Sequence, residues 1–501
     1  MSFISSHFFL FLAVTIFFFY LFPKRFQSYI LLTASIFFYL FFSPLYTVVL
    51  VILVLADFII AKKIKADEGN KYRKKLMISG LSLNIIFLVF FKFYYQLEKI
   101  LAPFFPSLNL WDMKFFVEIA VPLGISYFIF KKISYLVDVY RGIVEPEKDF
   151  SKLLLYVMFF PEIVAGPIDR THDLISQFSG NIRFNTKMIQ SGFQRILWGI
   201  FKKVIIADRI SIYVDTLFKS YRNYEGSVIL LTVFLYSIQI YCDFSAIADI
   251  AIGIGKMFGI NIKENFNKPY FAVSVSDFWR RWHITLSTWL RDYIFLPLAY
   301  IVSGKLINRN IKAGKSDNIT YIFASMTTMI LCGLWHGSEW TFIIWGAIHG
   351  FYLIFSHITK KMRKKIKKNL RIMKFSIFNK LLKIVTTFSL ISFSWIFFRS
   401  KSIEHAFGMI KSIFYGKSGT LSGFSDLNNI VLKNFPPFTL EIMAISISFL
   451  FLIELLQIKV KIGEWILNRP IFIKILFYYF TIFTILIFTV KRSGDFIYMQ
   501  F

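Results

Sequence analysis

The sequence predicts an all-α membrane protein that crosses the bilayer many times. Of its 501 residues, 56% are hydrophobic and 20% aromatic, and only 17% are charged. A soluble domain of average composition has roughly 25% charged residues. Within lipid, only helices and closed barrels satisfy their backbone hydrogen bonds, and the sequence lacks the alternating pattern of a barrel. An all-α polytopic fold is therefore expected.

The long apolar runs mark the candidate membrane helices. A span needs roughly 20 apolar residues, and allowing short or bent segments gives about 11 to 13 transmembrane or re-entrant helices. Prolines and glycines interrupt the region 120–340, so broken helices are expected there. The candidate segments lie near residues 3–22, 26–42, 44–61, 76–96, 115–140, 151–168, 192–217, 226–259, 319–332, 340–357, 381–398, 439–457 and 473–490.

Two basic loops predict the orientation of the chain. Lysine and arginine crowd into residues 62–75 and 360–374, which the positive-inside rule places in the cytoplasm. Counting spans from these loops places both the N-terminus and the C-terminus outside. No soluble domain interrupts the pattern, so one integral-membrane domain is expected over residues 1–501, with its motifs in a core at about 121–350.

The charge and the cysteines exclude several classes of protein. The net charge of +29 could indicate nucleic acid, but the basic residues lie at the ends of apolar runs, where lipid head groups would meet them. Nucleic acid is therefore not expected as a partner. The two cysteines, Cys242 and Cys332, exclude a disulfide framework and a multi-cysteine metal site. No HExxH or GxSxG motif occurs, so neither a bound metal nor a bound cofactor is expected.

Three groups of ionisable residues lie at the expected depth of the membrane. They occupy residues 159–170, 242–253 and 265–293. Charged groups are costly in lipid, so each group is a candidate functional site. The alternative is that their acids form ion pairs inside the helix bundle.

The third group has the periodicity of an amphipathic helix that lies at the membrane interface. One face is apolar and the adjoining face is polar. The apolar face carries Trp279, Trp282, Leu286, Trp289, Leu290 and Tyr293, and the polar face carries Arg280, His283, Ser287 and Arg291.

Charged neighbours give His283 a candidate chemical role. Asp277 precedes Arg281 by four residues, a spacing that allows an ion pair. Arg280 lies one turn from His283, and a neighbouring cation lowers the pKa of a histidine. A neutral imidazole suits a base or a hydrogen-bonding electrophile. The alternative, which this stretch alone slightly favours, is an interfacial anchor.

A second candidate is His336, which lies in an otherwise apolar segment between Gly333 and Gly337. Glycines at these positions let another backbone or a substrate approach closely. The alternative is a packed, hydrogen-bonded histidine of the core. The other histidines are interpreted as structural, and they are His7, His172, His349, His357 and His405.

Several strings of the sequence resemble the membrane-bound O-acyltransferase family, in its bacterial alginate O-acetyltransferase-like branch. The motifs DFWRRWH and LWHG are specific when they occur together in this order. The resemblance covers about half the chain, at residues 121–142, 160–170, 243–298, 331–350 and 496–501.

The resemblance implies a fold and a mechanism. Helices would surround a central active-site tunnel, where a cytoplasmic acyl thioester meets a hydroxyl acceptor from the other side. His336 would be the general base. His283, or a backbone N–H, would stabilise the oxyanion. The donor would be acyl-coenzyme A or an acyl-carrier thioester.

Supporting residues follow from the same motifs. Arg280, Arg281 and Lys268 are expected to bind phosphates of the donor. The remaining supporting candidates are Asp277, Asn267, Ser287 and Trp335.

The C-terminal string FIYMQF suggests an acyl relay. Tyr498 has the phenol that would take the acyl group from the thioester and pass it to an extracytoplasmic partner transferase. The alternative is an aromatic anchor at the membrane interface.

The expected function is acetyl transfer to a secreted or envelope polysaccharide, catalysed in the bacterial inner membrane. D-alanyl transfer to teichoic acids and acetyl transfer to peptidoglycan stay open within the same family. A transporter or flippase and a membrane scaffold are the alternatives of other classes.

Overall fold

A computed structural model describes residues 2–66, 72–101, 124–179, 181–369, 376–415, 439–489 and 496. Every regular element within these residues is helical, which confirms the all-α class. The first eleven α-helices of the described residues are α1 (Ser6–Leu21), α2 (Gln27–Leu40), α3 (Pro44–Ala66), α4 (Tyr72–Leu101), α5 (Ile125–Tyr140), α6 (Phe150–Met158), α7 (Phe160–Ile163), α8 (Thr171–Phe178), α9 (Thr186–Phe201), α10 (Asp208–Lys219) and α11 (Gly226–Met257).

The second half of the chain begins with short helices and continues with long ones. They are α12 (Val275–Trp279), α13 (Ile284–Leu290), α14 (Leu296–Asn308), α15 (Ala313–His336), α16 (Trp340–Ile358), α17 (Lys360–Asn369), α18 (Ser376–Arg399), α19 (Ile403–Tyr415), α20 (Thr439–Leu456), α21 (Ile462–Leu467) and α22 (Ile471–Phe488).

Seven of the described helices are long and apolar enough to cross a membrane, namely α3, α4, α11, α15, α16, α18 and α22. Each coincides with a predicted segment. The other six predicted segments coincide with helices that are shorter or broken, except that residues 115–123 lie outside the described part. The sequence pattern missed α14 and α19. The second of these is amphipathic and packs on the bundle through Ala406 and Met409, both of which are buried.

Broken helices occupy the centre of the molecule, as predicted. Phe159 has a non-helical backbone (φ −48°, ψ 108°) and separates α6 from α7. A π-helical turn at Lys202–Ala207 joins α9 to α10. The whole stretch 159–170 is buried. Helix α11 also lies in the interior, since 78% of its most apolar window is buried.

Glycines bring two helix pairs into backbone contact. A Cβ added at Gly253 of α11 would lie 2.7 Å from the carbonyl oxygen of Gly192 of α9. A Cβ added at Gly333 of α15 would lie 2.2 Å from the carbonyl oxygen of Phe342 of α16. Small residues allow such close packing in membrane proteins. The tight α15–α16 hairpin fixes the position of His336, the last residue of α15.

Candidate active site

The prediction of one continuous amphipathic helix that carries Trp279 to Tyr293 is wrong. Helix α12 ends at Trp279, and α13 begins only at Ile284. His283 lies between them with φ +42°, in the left-handed region that non-glycine residues rarely adopt. Trp282 and His283 are only 2% and 1% exposed. Because both side chains are in the interior, this stretch is not an interfacial anchor.

Asn265 holds the backbone and the side chain at this break. Its Oδ1 accepts hydrogen bonds from the main-chain N–H of Thr285 at 3.1 Å and from the Thr285 hydroxyl at 2.8 Å. The same oxygen lies 3.1 Å from Nδ1 of His283. The carbonyl of Asn265 accepts the main-chain N–H of Ile284 at 2.9 Å. These bonds explain why the chain breaks here, since they satisfy groups that a continuous helix would pair internally.

His283 is a neutral imidazole for a different reason from the one predicted. It lies outside the seven long apolar helices, and burial lowers its pKa to about 3. Arg280 does not contribute to this shift. Its side chain is 73% exposed and contacts Asp277 at 3.3 Å. Burial, and not the neighbouring cation, is what favours the neutral imidazole at His283.

Three aromatic rings form a cluster around His283, which we call the three-ring cluster: Tyr127, His283 and Trp335. Ring centroids of Tyr127 and His283 are 6.4 Å apart, those of His283 and Trp335 6.1 Å, and those of Tyr127 and Trp335 5.9 Å. Phe244 packs edge-on against His283 at 4.7 Å. The cluster joins α5, the α12–α13 break and α15.

His336 lies directly beside this cluster. Its ring is 4.6 Å from that of Trp335, 5.1 Å from that of Trp345 and 4.9 Å from that of Phe398, measured between centroids and edge-on in each case. The residue is 5% exposed. The structure therefore brings both predicted histidines to Trp335.

Lys92 is a member of this site that the sequence pattern missed. Its ammonium donates a hydrogen bond to the carbonyl oxygen of Trp335 and lies 5.5 Å from the centre of the indole ring. Helix α4 departs from helical geometry at the next residue, Phe93 (φ −117°, ψ 17°). The last carbonyls of a helix have no partner within it, and a cation there is favourable. A single lysine within an apolar span was the available signal.

His349 has a hydrogen-bond partner at each of its ring nitrogens. Its Nδ1 accepts the indole N–H of Trp279 at 3.3 Å, and its Nε2 lies 3.0 Å from the hydroxyl of Ser394. It is fully buried. These two contacts tie α12 and α18 to α16.

Of the predicted donor-binding cations, Arg280 lies at the surface, whereas Arg281 and Lys268 are half-buried. Asp277 and Arg281 form the expected ion pair, at 3.1 Å. The Lys268 ammonium lies near a main-chain carbonyl of Gln457 at 3.4 Å. The contacts described for Arg280, Arg281 and Lys268 reach neither His283 nor His336.

The remaining supporting candidates make local contacts. The main-chain N–H of Asn267 donates to the carbonyl of Arg281 at 2.9 Å. The hydroxyl of Ser287 donates to the carbonyl of Trp282 at 3.1 Å. These bonds brace the α12–α13 break. Only Trp335 among the supporting candidates touches both histidines.

Three of the four acids of the other two groups, Glu162, Asp243 and Asp249, form ion pairs, which was the alternative interpretation. The fourth, Asp169, accepts the main-chain N–H of Lys263 at 3.3 Å. Buried pairs join Lys131 to Glu162, Lys132 to Asp57 at 3.4 Å, Lys203 to Asp243 at 2.8 Å and Lys202 to Asp249 at 2.6 Å. These pairs connect neighbouring helices of the bundle.

Tyr498 lies outside the described residues. Phe496, two positions earlier, is fully buried, with the Lys203 ammonium 4.6 Å from the centre of its ring. At Phe496, therefore, the chain is in the protein interior and is not an anchor at the lipid surface.

The membrane fold and the two buried histidines define the class of this protein. The sequence profile of the membrane-bound O-acyltransferase family matches residues 31–398, and the chain belongs to that family. The chain is 34% identical to the probable alginate O-acetylase AlgI of Azotobacter vinelandii, over 89% of this chain and 84% of that protein.

Two further relatives widen the range of acceptors. The peptidoglycan O-acetyltransferase of Helicobacter pylori is 33% identical, over 78% of this chain and 74% of that protein. The teichoic acid D-alanyltransferase of Bacillus subtilis is 30% identical, over 56% of this chain and 70% of that protein. The protein is therefore a multi-pass membrane O-acyltransferase.

Proposed function

We propose that the protein moves an acetyl group from a cytoplasmic thioester across the membrane to hydroxyl groups of an envelope or secreted polysaccharide. The observation that carries the proposal is the pair of buried histidines on Trp335. Transfer from a thioester to a hydroxyl needs a base for the hydroxyl proton, and a neutral imidazole can supply it. The likeness to a probable alginate O-acetylase supports a polysaccharide acceptor.

In the proposed reaction, His336 takes the proton of the attacking hydroxyl. The hydroxyl oxygen bonds to the carbonyl carbon of the thioester, and the carbonyl oxygen briefly carries the negative charge. The C–S bond then breaks, and the thiolate leaves with its electron pair and takes up a proton. An oxyanion donor must have an N–H or O–H group. The contacts of Asn265 leave no hydrogen on Nε2 of His283, so another group must fill that role.

The proposed orientation places the basic loops 62–75 and 360–374 in the cytoplasm of a bacterial inner membrane, with both termini outside. Helix α16 runs from the His336 end of the hairpin to the second basic segment, which is helical at Lys360–Asn369 and is therefore not the predicted loop over those residues. His336 would then lie toward the outer side, where the acceptor arrives. The cations Arg280, Arg281 and Lys268 stay candidates for binding the phosphates of the donor, which we propose is acyl-coenzyme A or an acyl carrier.

A tyrosine relay is the second part of the proposal. Tyr498 would receive the acyl group and pass it to an extracytoplasmic partner transferase. Burial of Phe496 supports this, because Phe496 lies in the protein interior and precedes Tyr498 by only two residues. A short tether raises the effective concentration of the phenol at the site.

The variant Tyr498→Phe tests the relay. It keeps the ring and its packing but deletes the hydroxyl. We expect loss of essentially all acyl transfer to the glycan, and an acyl adduct on Tyr498 in intact-protein mass spectrometry of the wild type. Wild-type transfer by Tyr498→Phe would contradict the relay without touching the rest of the proposal.

The acceptor is identified by mass spectrometry of envelope glycans from cells with and without the protein. Loss of O-acetyl groups from a secreted polysaccharide supports the proposal. Loss from peptidoglycan, or loss of D-alanine from teichoic acid, would instead favour the activities of the other two relatives. Purified protein that turns over no thioester would favour a transporter or scaffold.

A further inference from the structure

The three-ring cluster contains polar atoms for which the protein supplies no partner. They are Tyr127 Oη, Trp335 Nε1 and His283 Nε2, each buried and each without a hydrogen bond to any residue in the described ranges. A buried polar atom without a partner is costly, because it has lost its hydrogen bonds to water without replacing them. Three such atoms in adjacent rings require an explanation, and a ligand that completes their hydrogen bonds is one.

Asn265 determines what His283 can offer to a ligand. Its amide orientation is fixed, because the main-chain N–H of Thr285 must meet the oxygen and not the NH2 group. That oxygen also faces Nδ1 of His283 at 3.1 Å. Two atoms that only accept cannot share a hydrogen bond, so Nδ1 carries the proton. Nε2 of the neutral ring is therefore an acceptor.

The other two atoms have the opposite polarity. The indole N–H of Trp335 can only donate, and the phenol of Tyr127 can donate as well. The cluster thus offers two donors and one acceptor in neighbouring rings. Such a set matches a carbonyl oxygen with an N–H or O–H group close to it.

We propose that the three-ring cluster binds the reacting carbonyl, with Trp335 and Tyr127 donating to its oxygen and His283 accepting from the group beside it. Asn265 is then a positioning residue that holds His283 in the accepting form. The inference rests on the acyl transfer proposed above and supplies the oxyanion donors that it lacks. As the hydroxyl oxygen bonds to the carbonyl carbon, the charge on the carbonyl oxygen meets two fixed hydrogen-bond donors.

Two groups have the chemistry to meet Nε2 of His283. One is the amide N–H of the cysteamine arm, which coenzyme A and phosphopantetheine carriers share. The other is the attacking hydroxyl, in which case His283 takes its proton in place of His336. The two candidate partners predict different turnover of a donor that lacks the amide.

The tautomer is measured directly by nitrogen NMR of purified protein with 15N-labelled histidine, with His283→Gln identifying the signal. We expect the proton of His283 on Nδ1 in the wild type and on Nε2 in Asn265→Leu. A proton on Nε2 in the wild type would overturn the inference. This NMR measurement does not require the protein to turn over a thioester.

The donor role is tested by Tyr127→Phe, which keeps the ring and removes the hydroxyl, and by Trp335→Phe, which replaces the indole by a smaller aromatic ring without an N–H. We expect each to lower kcat by about 10²-fold, with KM nearly unchanged. The matched controls are Trp289→Phe and Tyr135→Phe, which remove hydrogen bonds elsewhere, to the Phe130 carbonyl and from the Glu147 N–H. Wild-type kcat in both test variants would overturn the inference.

The two candidate partners of His283 Nε2 are distinguished with two donors of equal length. S-acetyl-N-acetylcysteamine carries the amide, and an S-alkyl thioacetate lacks it. If the amide is the partner, the wild type prefers the amide-bearing donor by about 10-fold or more, and His283→Phe loses that preference. If the hydroxyl is the partner, the wild type treats both donors alike, and His283→Phe lowers kcat on both. A wild type that turns over no thioester would contradict the proposed function, while the NMR result would still decide the tautomer.

Discussion

Two sets of buried polar groups in this protein are built in opposite ways. Between the helices of the bundle, buried charges meet opposite charges, as Lys131 meets Glu162 and Lys203 meets Asp243. In the three-ring cluster, three buried polar atoms have no partner among the described residues. Burying either set of polar groups costs free energy, because the groups lose their hydrogen bonds to water. Pairing indicates a structural role, whereas orphaned atoms around two histidines indicate a place where a ligand completes the structure.

The largest expected effect is on activity at His336. His336→Ala removes the proposed general base, which we expect to lower the rate of acyl transfer by about 10²- to 10⁴-fold. The protein should still insert and fold, so its thermal unfolding in detergent should match the wild type. The measurement is glycan O-acetylation in cells that express the variant at wild-type level. Unchanged acetylation would remove His336 from the mechanism.

The opposite behaviour is expected at the buried ion pair of Lys132. Lys132→Met leaves the buried carboxylate of Asp57 without its cation, which should destabilise the protein by about 3–5 kcal/mol. Turnover per folded molecule should not change. The control is Lys65→Met, because Lys65 pairs with the exposed Glu145 and such a pair contributes about 0–1 kcal/mol. Equal stability of the two variants would contradict the expected difference between a buried and an exposed ion pair.

Close packing of the α15–α16 hairpin gives a third test. A Cβ at Gly333 would lie 2.2 Å from a backbone oxygen, whereas a Cβ at Gly314 of the same helix would meet nothing within 4 Å. We expect Gly333→Ala to destabilise the protein by about 1–3 kcal/mol. Gly314→Ala should be neutral or slightly stabilising, because alanine favours helix. Thermal unfolding of both variants checks this.

The smallest effect is expected at Lys92, whose replacement should lower both stability and activity. Lys92→Met removes the cation at the C-terminal end of α15, an interaction of up to about 2 kcal/mol. We expect a fall in kcat of about 10-fold, because the end of the helix carries His336, and partial rescue by Lys92→Arg. Lys75→Met, on an exposed turn of α4, is the control. A loss in Lys75→Met equal to that in Lys92→Met would show an unspecific charge effect.

The sequence was sufficient for the membrane class and for the seven long apolar helices, and it singled out the two histidines that the structure brings to Trp335. Apolar runs specify helices in lipid, because the backbone has no other way to satisfy its hydrogen bonds. His336 could be singled out because a histidine between glycines is unusual in an apolar span. The ion pairs were foreseen as an alternative, although which lysine meets which acid depends on packing between distant helices.

The break at His283 could not be read from periodicity. It depends on Asn265, which lies 18 positions earlier and competes with the helix for the N–H groups of Ile284 and Thr285. The sequence analysis named the nearby Asn267 instead, whose contact is through the main chain. Lys92 was missed for a similar reason, since its partner on α15 is remote in sequence.

Thiol release by the purified protein tests the central claim most directly. Wild-type protein and the double variant His283→Ala/His336→Ala are incubated with acetyl-coenzyme A and an acceptor glycan in detergent, after matched thermal unfolding shows that both are folded. The account predicts thiol release by the wild type and only the uncatalysed rate with the double variant. Equal release by the two proteins would contradict the claim that the histidines beside Trp335 carry the acyl transfer.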